Sequence, residues 1–369
     1  MTEVRLFLCG DVMLGRGIDQ IFPHPSQPRL YEAYVRSAAS YLNLAEAASG
    51  PIPRRVAADY VWGDALSALE AARPAARIVN LETAVTTSSR PYPKGINYRM
   101  HPDNIACLTA ARIDCCVLAN NHVLDWGPAG LIETLATLQR AGIRTAGAGR
   151  DAAEAAAPAV VSLPAGGRVL VFGFAATDSG VPHDWAADAG TPGVNLLPDL
   201  TEATAAGLAE AAQRQCQPND LLVASVHWGG NWGYEVRSAH RAFAHRLIDG
   251  GFDLVHGHSS HHVKGIEIYR QKLVLYGCGD FLDDYEGISG YEDFRDDLAV
   301  MYLPQLDAAS GRLLRLEMLP MQIRRFRLNR PSASDAKWLH QVLARESAKL
   351  ETTVTARADG SFTIENGGK

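Results

Sequence analysis

The sequence predicts a layered α/β fold in one large domain, and three observations carry the expectation. Strand-like apolar runs alternate with alanine-rich helical segments along most of the 369 residues. Five of those runs end in Asp, Glu, Asn or His, as expected where strand termini gather around one crevice. The 47% hydrophobic and 21% charged content is that of a soluble chain with a sizeable core.

Taken in order, the strand-like runs cover residues 4–9, 77–80, 114–119, 168–175, 220–226, 252–255, 272–276 and 298–303. Each is short and apolar, which suits strands inside a layered fold. Helix formers with apolar residues three or four apart predict helices over 64–72, 104–112, 128–141, 202–214 and 238–249. Beyond 300 the texture changes. Residues 312–328 read as extended, 334–350 as an amphipathic helix capped by Ser334, and 352–364 as a hairpin around Asp359-Gly360. Residues 151–157 predict a short exposed helix. Two polar, proline-punctuated segments, 23–53 with a helix inside and 88–102, read as walls of a cleft. The expected organisation is therefore one large domain over 1–330, with the helix and hairpin of 331–369 packed on it.

The formal charge of −6 argues against a nucleic-acid groove. No run reaches the ~20 apolar residues of a membrane span. Asp11 interrupts the first apolar run too early for a leader peptide, so the expected location is the cytoplasm. The six cysteines lack a Cys-x-x-Cys pair and sit in apolar surroundings, which predicts buried free thiols.

The densest chemistry lies at His256-Gly257-His258-Ser259-Ser260-His261-His262, four imidazoles in seven residues. Imidazole is the commonest metal ligand and a ready acid or base near neutral pH. Taken singly, His256 and His262 read equally well as hydrogen-bonded loop residues. The other polar strand ends are Asp11, Glu82 after Asn80, His122 after Asn120-Asn121, and His227. Asp125 stands three residues after His122, close enough to orient it in a helical turn. Asp11 or Asp280 would orient His227, His258 or His261. Two imidazoles, each held by a carboxylate, suit proton removal and return α to a carbonyl. Arg16, Lys94, Arg99 and Lys264 read either as partners of a substrate carboxylate or phosphate or as surface charges. Trp228 and Trp232 read either as a ring-binding wall or as packing. The acidic residues between 283 and 297 read as a solvated edge.

Six ordered blocks then carry a resemblance: Gly-Asp-Val-Met-Leu-Gly-Arg at 10–16, Asn-Leu-Glu-Thr at 80–83, Ala-Asn-Asn-His-Val-Leu-Asp-Trp-Gly at 119–127, His-Trp-Gly at 227–229, Gly-His-Ser-Ser-His-His at 257–262 and Gly-Asp-Phe at 279–281. Together they resemble the CapA, or poly-γ-glutamate capsule-synthesis, family of calcineurin-like metallophosphoesterases. The resemblance implies a four-layer α/β/β/α sandwich with a metal centre at the strand ends. It implies Asp11 and His261 at one metal position, Asn121, His227 and His258 at another, Glu82 between them, and His122 as proton donor. Where such phosphoesterases have Asp-x-His, this chain has Asp11-Val12-Met13, and a thioether is a poor ligand for a hard cation. The expectation is therefore one divalent ion (calcium, manganese or zinc, calcium among the plausible ones) and no organic cofactor. The chain is also similar to lasso-peptide epimerases, which implies a peptide epimerase acting on the terminal Cα of a precursor peptide. The alternative is a metal-dependent hydrolase of a phosphoester or γ-glutamyl amide, and a third reading is a binding protein that has lost catalysis.

Overall fold

The computed structural model describes residues 3–164 and 166–365. The outermost residues of the two expected segments, 1–2 and 366–369, lie outside the described residues. Two sheets dominate. In the larger, the strand Glu3–Val12 is parallel to Ala76–Leu81, which continues through Cys115–Val117 to Arg144–Ala146. On its other side lie the long antiparallel strands Leu298–Asp307 and Leu313–Ile323, then Phe362–Glu365 and Thr355–Ala356. The second sheet runs Ile266–Tyr269, Lys272–Leu275, Leu254–His258, Asp220–His227, Arg168–Ala175 and Ala159–Ser162, with the middle four parallel.

Alternation of side chains along each strand decides which layer it meets. In Asp220–His227, Leu221 and Val223 join the large core shared with residues of the other sheet, such as Ile78 and Val117. Leu222, Ala224 and Val226 point the other way, onto Ala205 and Ala209 of the helix Glu202–Gln213 and Phe243 and Leu247 of Ser238–Asp249. The helices Asp64–Ala72 and Gly127–Arg140 contribute Leu69, Leu131 and Leu138 to the large core beside the other sheet. The layers are thus helix, sheet, sheet, helix, the calcineurin-like sandwich.

Most expected elements occur with ends displaced by a few residues. The capping of the C-terminal helix Ala333–Ala348 departs from expectation: Ser332, not Ser334, caps it by accepting from the Asp335 amide at 3.1 Å. Ala159–Ser162 and Ile266–Tyr269 were invisible to periodicity because both are short edge strands. Among the described residues all six cysteines are free, five of them buried, and no helix is long and apolar enough to cross a membrane.

Candidate functional site

The parallel strands of both sheets end on one side, and their termini face each other. Strand register places His227 opposite His258 and Ser225 opposite His256. It sets Asp11 beside Asn80 on one flank and Asp280 on the other. The second pairing demands close backbone approach at Gly10, where an added Cβ would lie 1.7 Å from the Gly279 carbonyl oxygen. Beyond His258 the chain turns sharply at Ser259, whose φ of 99° is strained for a residue with a side chain. That turn aims the Ser259 amide at Asp11 Oδ2, 3.2 Å away.

The structure brings Asp11, Glu82, His122, His227, His258, His261 and Asp280 into one buried cluster, with the half-buried Asn121 at its edge. Asn120 donates to Asn80, and Asn80 in turn donates to Asp11 Oδ1 at 2.7 Å, so two amides hold the first carboxylate. Ligand atoms of Asp11, His227 and His258 lie within 4.8 Å of one another, as do those of Asp11, His261 and Asp280. Glu82 Oε1 is 3.8 Å from His122 Nε2 and 3.9 Å from His227 Nε2. Two histidine–aspartate dyads flank the cluster. His122 Nδ1 lies 2.6 Å from Asp125 Oδ2, and His261 Nδ1 lies 2.9 Å from Asp280 Oδ1.

Whether a cation fits can be read from the proton count of the hydrogen-bond chain. The Cys9 carbonyl only accepts, so the His256 Nε2 2.8 Å away carries a hydrogen. The neutral ring's Nδ1 is then a lone pair, and the Ser225 hydroxyl donates to it at 3.0 Å. With its hydrogen spent, Ser225 Oγ accepts from His258 Nε2, also at 3.0 Å. His258 Nδ1 is therefore a bare lone pair, facing His227 Nδ1 at 2.7 Å. If His227 donates there, its Nε2 lone pair confronts the Asn121 carbonyl oxygen at 3.1 Å; if it donates to Asn121, two imidazole lone pairs confront each other. With the Asn121 carbonyl oxygen facing His227, the chain lacks one donor inside the cluster, and a cation there would supply the missing positive charge.

Electrostatics agree. Burial pushes Asp11 up to about 6, and burial together with the Asp11 charge drives Glu82 and Asp280 well above the ordinary carboxylate range. Burial also holds His122 down to about 4 and depresses His227, His258 and His261. Carboxylates that resist ionising beside imidazoles that resist protonation are what a divalent cation relieves. Asp280 Oδ2, buried without a hydrogen-bond partner, points the same way. The nitrogen and oxygen donors present suit such an ion; Met13 contributes only a sulfur, contacted by the Tyr285 hydroxyl at 3.8 Å.

Several expectations need correction. Trp228 is 2% exposed, stacks on His240 and Tyr276, and donates to the Tyr276 carbonyl; it is core, unable to touch a substrate. Arg16 is buried between Asp284 and Glu32, with its guanidinium over the Tyr41 and Tyr98 rings, so its charge is already met. Lys94 lies 2.8 Å from Asp125 Oδ1 and bonds the Asn121 carbonyl, which makes it a brace of the first dyad. Asp283 and Asp284 are buried rather than part of a solvated edge. No carboxylate orients His227 or His258 among the described residues; Ser225 and His256 do so for His258. Trp232 alone of the four expected substrate contacts remains half-exposed without a charge to satisfy.

Sequence reasoning did not find Ser225, nor Tyr98 and Tyr285. Tyr98 packs edge-on against His122 and Tyr285 against His261, their hydroxyls 3.1 Å apart. Nothing local marks them; the signal is only their place in space.

Comparison with known proteins gives the site its context. The family model described as "Bacterial capsule synthesis protein PGA_cap" matches residues 5–285. A protein of Mycobacterium tuberculosis named a probable polyglutamine synthesis accessory protein is 48% identical over 98% of this chain and 96% of its own length. The PGA biosynthesis protein CapA of Bacillus subtilis is 26% identical over 79% of this chain and 66% of its own. The crystal structure of TT1561 of Thermus thermophilus aligns with 85% of this chain and 97% of that one at 10% identity and a TM-score of 0.37.

Proposed function

The chain belongs to the bacterial capsule synthesis protein family, and from that premise we propose that it is a metal-dependent hydrolase of amide bonds in glutamate- or glutamine-based polymers. The observation that carries the reading is the His122–Asp125 dyad aimed at the cation-deficient cluster, with His122 Nε2 3.8 Å from Glu82 Oε1. When bound by Asp11, Glu82, Asn121, His227 and His258, a divalent cation supplies Lewis-acid polarisation of the scissile carbonyl.

The protein's own groups do the rest. Asp125 holds the proton on His122 Nδ1 and leaves Nε2 as the base. His122 Nε2 takes a proton from the attacking water as the carbon–oxygen bond forms, and returns it to the leaving nitrogen as the carbon–nitrogen bond breaks. Lys94 fixes Asp125 from behind. Burial keeps His122 neutral, the state in which it can act as a base. Incubation with oligoglutamine or poly-γ-glutamate, with and without chelator, tests the reading by amine release. Release that needs divalent metal and vanishes in His122→Ala supports it; intact polymer under all metals refutes it.

One observation favours a second reading. The two dyads, through His122 and His261, present two carboxylate-held imidazoles at the same cluster, as epimerisation of a peptide Cα by paired bases requires. Deuterium entering a peptide Cα from heavy water without chain cleavage would favour it over hydrolysis. The relatives' names, which speak of polyglutamine and PGA synthesis, bear on the polymer proposed as substrate and not on the choice between the two reactions.

A further inference from the structure

Beside the cluster lies a recess of about 160 Å³ that shares His261 with it and is also lined by Arg16. Its rim is unusual for a protein surface. Of the six exposed large hydrophobic side chains among the described residues, Tyr34 (73% exposed), Ile288 (39%) and Tyr291 (42%) all border this one opening. Trp232 lines it too, stacked on Tyr291 with ring centres 3.9 Å apart and planes within 6°. Apolar rings gathered at the mouth of a polar site mark where a ligand enters and water is excluded.

The charge of the recess is one-sided. Among the described residues its only lining cation is Arg16, and two carboxylates, Glu32 and Asp284, already neutralise that guanidinium. Asp296 also lines the recess and forms no ion pair among the described residues, whereas its neighbour Asp297 is held by Arg295 at 2.6 Å. A substrate carboxylate entering here would meet Asp296, which has no ion-pair partner among the described residues. A positive group would meet an unpaired carboxylate in surroundings where aromatic walls reduce solvent screening.

We propose that this recess binds the free amino terminus of the substrate chain, with Asp296 as the counter-charge and Trp232, Tyr34 and Tyr291 as its walls. Resting on the hydrolase reading, it adds direction: the polymer is engaged at its ammonium end, with the first amide bonds placed toward His261 and the cluster. The ligand class is thus a peptide or polymer bearing an unblocked amine, and chain ends modified by acylation are excluded.

The test is a binding measurement on the full-length protein, by calorimetry, comparing a glutamine trimer with a free amino terminus against its N-acetyl form. The free trimer is expected to bind about tenfold tighter, the scale of one charge-assisted hydrogen bond. Raised salt should narrow that difference, and Asp296→Asn should abolish it. Equal or tighter binding of the acetylated trimer overturns the assignment, as does a preference that survives in Asp296→Asn, or no binding of either peptide. Comparison of the two peptides on the wild-type protein needs no variant to fold. The two readings fail separately: an amine preference without turnover sinks only hydrolysis, whereas hydrolysis of both peptides with equal affinity sinks only the recess.

Discussion

Replacing Ser225 by alanine tests the hydrogen-bond chain that leaves His258 one ligand atom short of a proton. The hydroxyl is the sole link between His256 Nδ1 and His258 Nε2 among the described residues, at 3.0 Å from each. Without it, His258 is free to place its hydrogen on Nδ1, the atom facing the cluster, and must lose that preference before ligating. Removal of a partner that orients a metal-bound imidazole weakens binding by ~10–100-fold, which corresponds to ~1.4–2.7 kcal/mol. The void is a single oxygen in a rigid strand, so the fold should persist with little loss of melting temperature. Calorimetric titration with Mn²⁺ or Zn²⁺ reads the affinity, and long-range nitrogen–proton correlation spectra of histidine-labelled protein read the tautomer directly. Ser225→Thr, which keeps the hydroxyl, should restore both. Wild-type affinity in Ser225→Ala, with His258 still carrying its hydrogen on Nε2, would refute the reasoning.

Four other outcomes follow from the same geometry. Asp125→Asn should lower amide hydrolysis by ~10²–10⁴-fold, the contribution of a positioned acid–base group, with substrate affinity nearly unchanged; equal turnover would remove the dyad from the mechanism. Because burial raises Asp11 to about 6 and Glu82, Asp280 and Asp283 further above their unfolded values, the folded metal-free protein holds protons that the unfolded chain releases. These groups favour folding most at low pH and lose that contribution as pH rises through 6 and above, whereas the buried histidines, held below their unfolded value, oppose folding until pH passes about 6.5; melting temperature should therefore fall from about pH 7 to 8.5 without divalent ions, where the histidines no longer titrate, and adding the ions should help most at the alkaline end. Trp228→Ala should destabilise by ~3–5 kcal/mol in denaturant unfolding, the cost of emptying a core site. Gly10→Ala should cost ~1–3 kcal/mol or more, as overpacking against the Gly279 carbonyl forces two strands apart.

Much of this protein was legible one residue at a time. Runs such as Arg168–Ala175 and Asp220–His227 announce buried parallel strands because apolar side chains meet both neighbouring layers. Asp11, Glu82, Asn121, His122, His227 and His258 were legible as a set because polar groups at strand ends have nowhere to face but the common crevice. What sequence spacing could not carry was the partnership of each group. Asp284 lies 268 residues from Arg16, and His256 reaches the Cys9 carbonyl across 247 residues. Charges that looked free in the sequence, Arg16 and Lys94 among them, were assigned partners only when the layers closed. Trp228 and Trp232 stand four residues apart in one loop, yet one lies in the core and the other at the mouth of the recess. Local chemistry states what a side chain can do, whereas burial and pairing, which are properties of the packed chain, decide what it is left free to do.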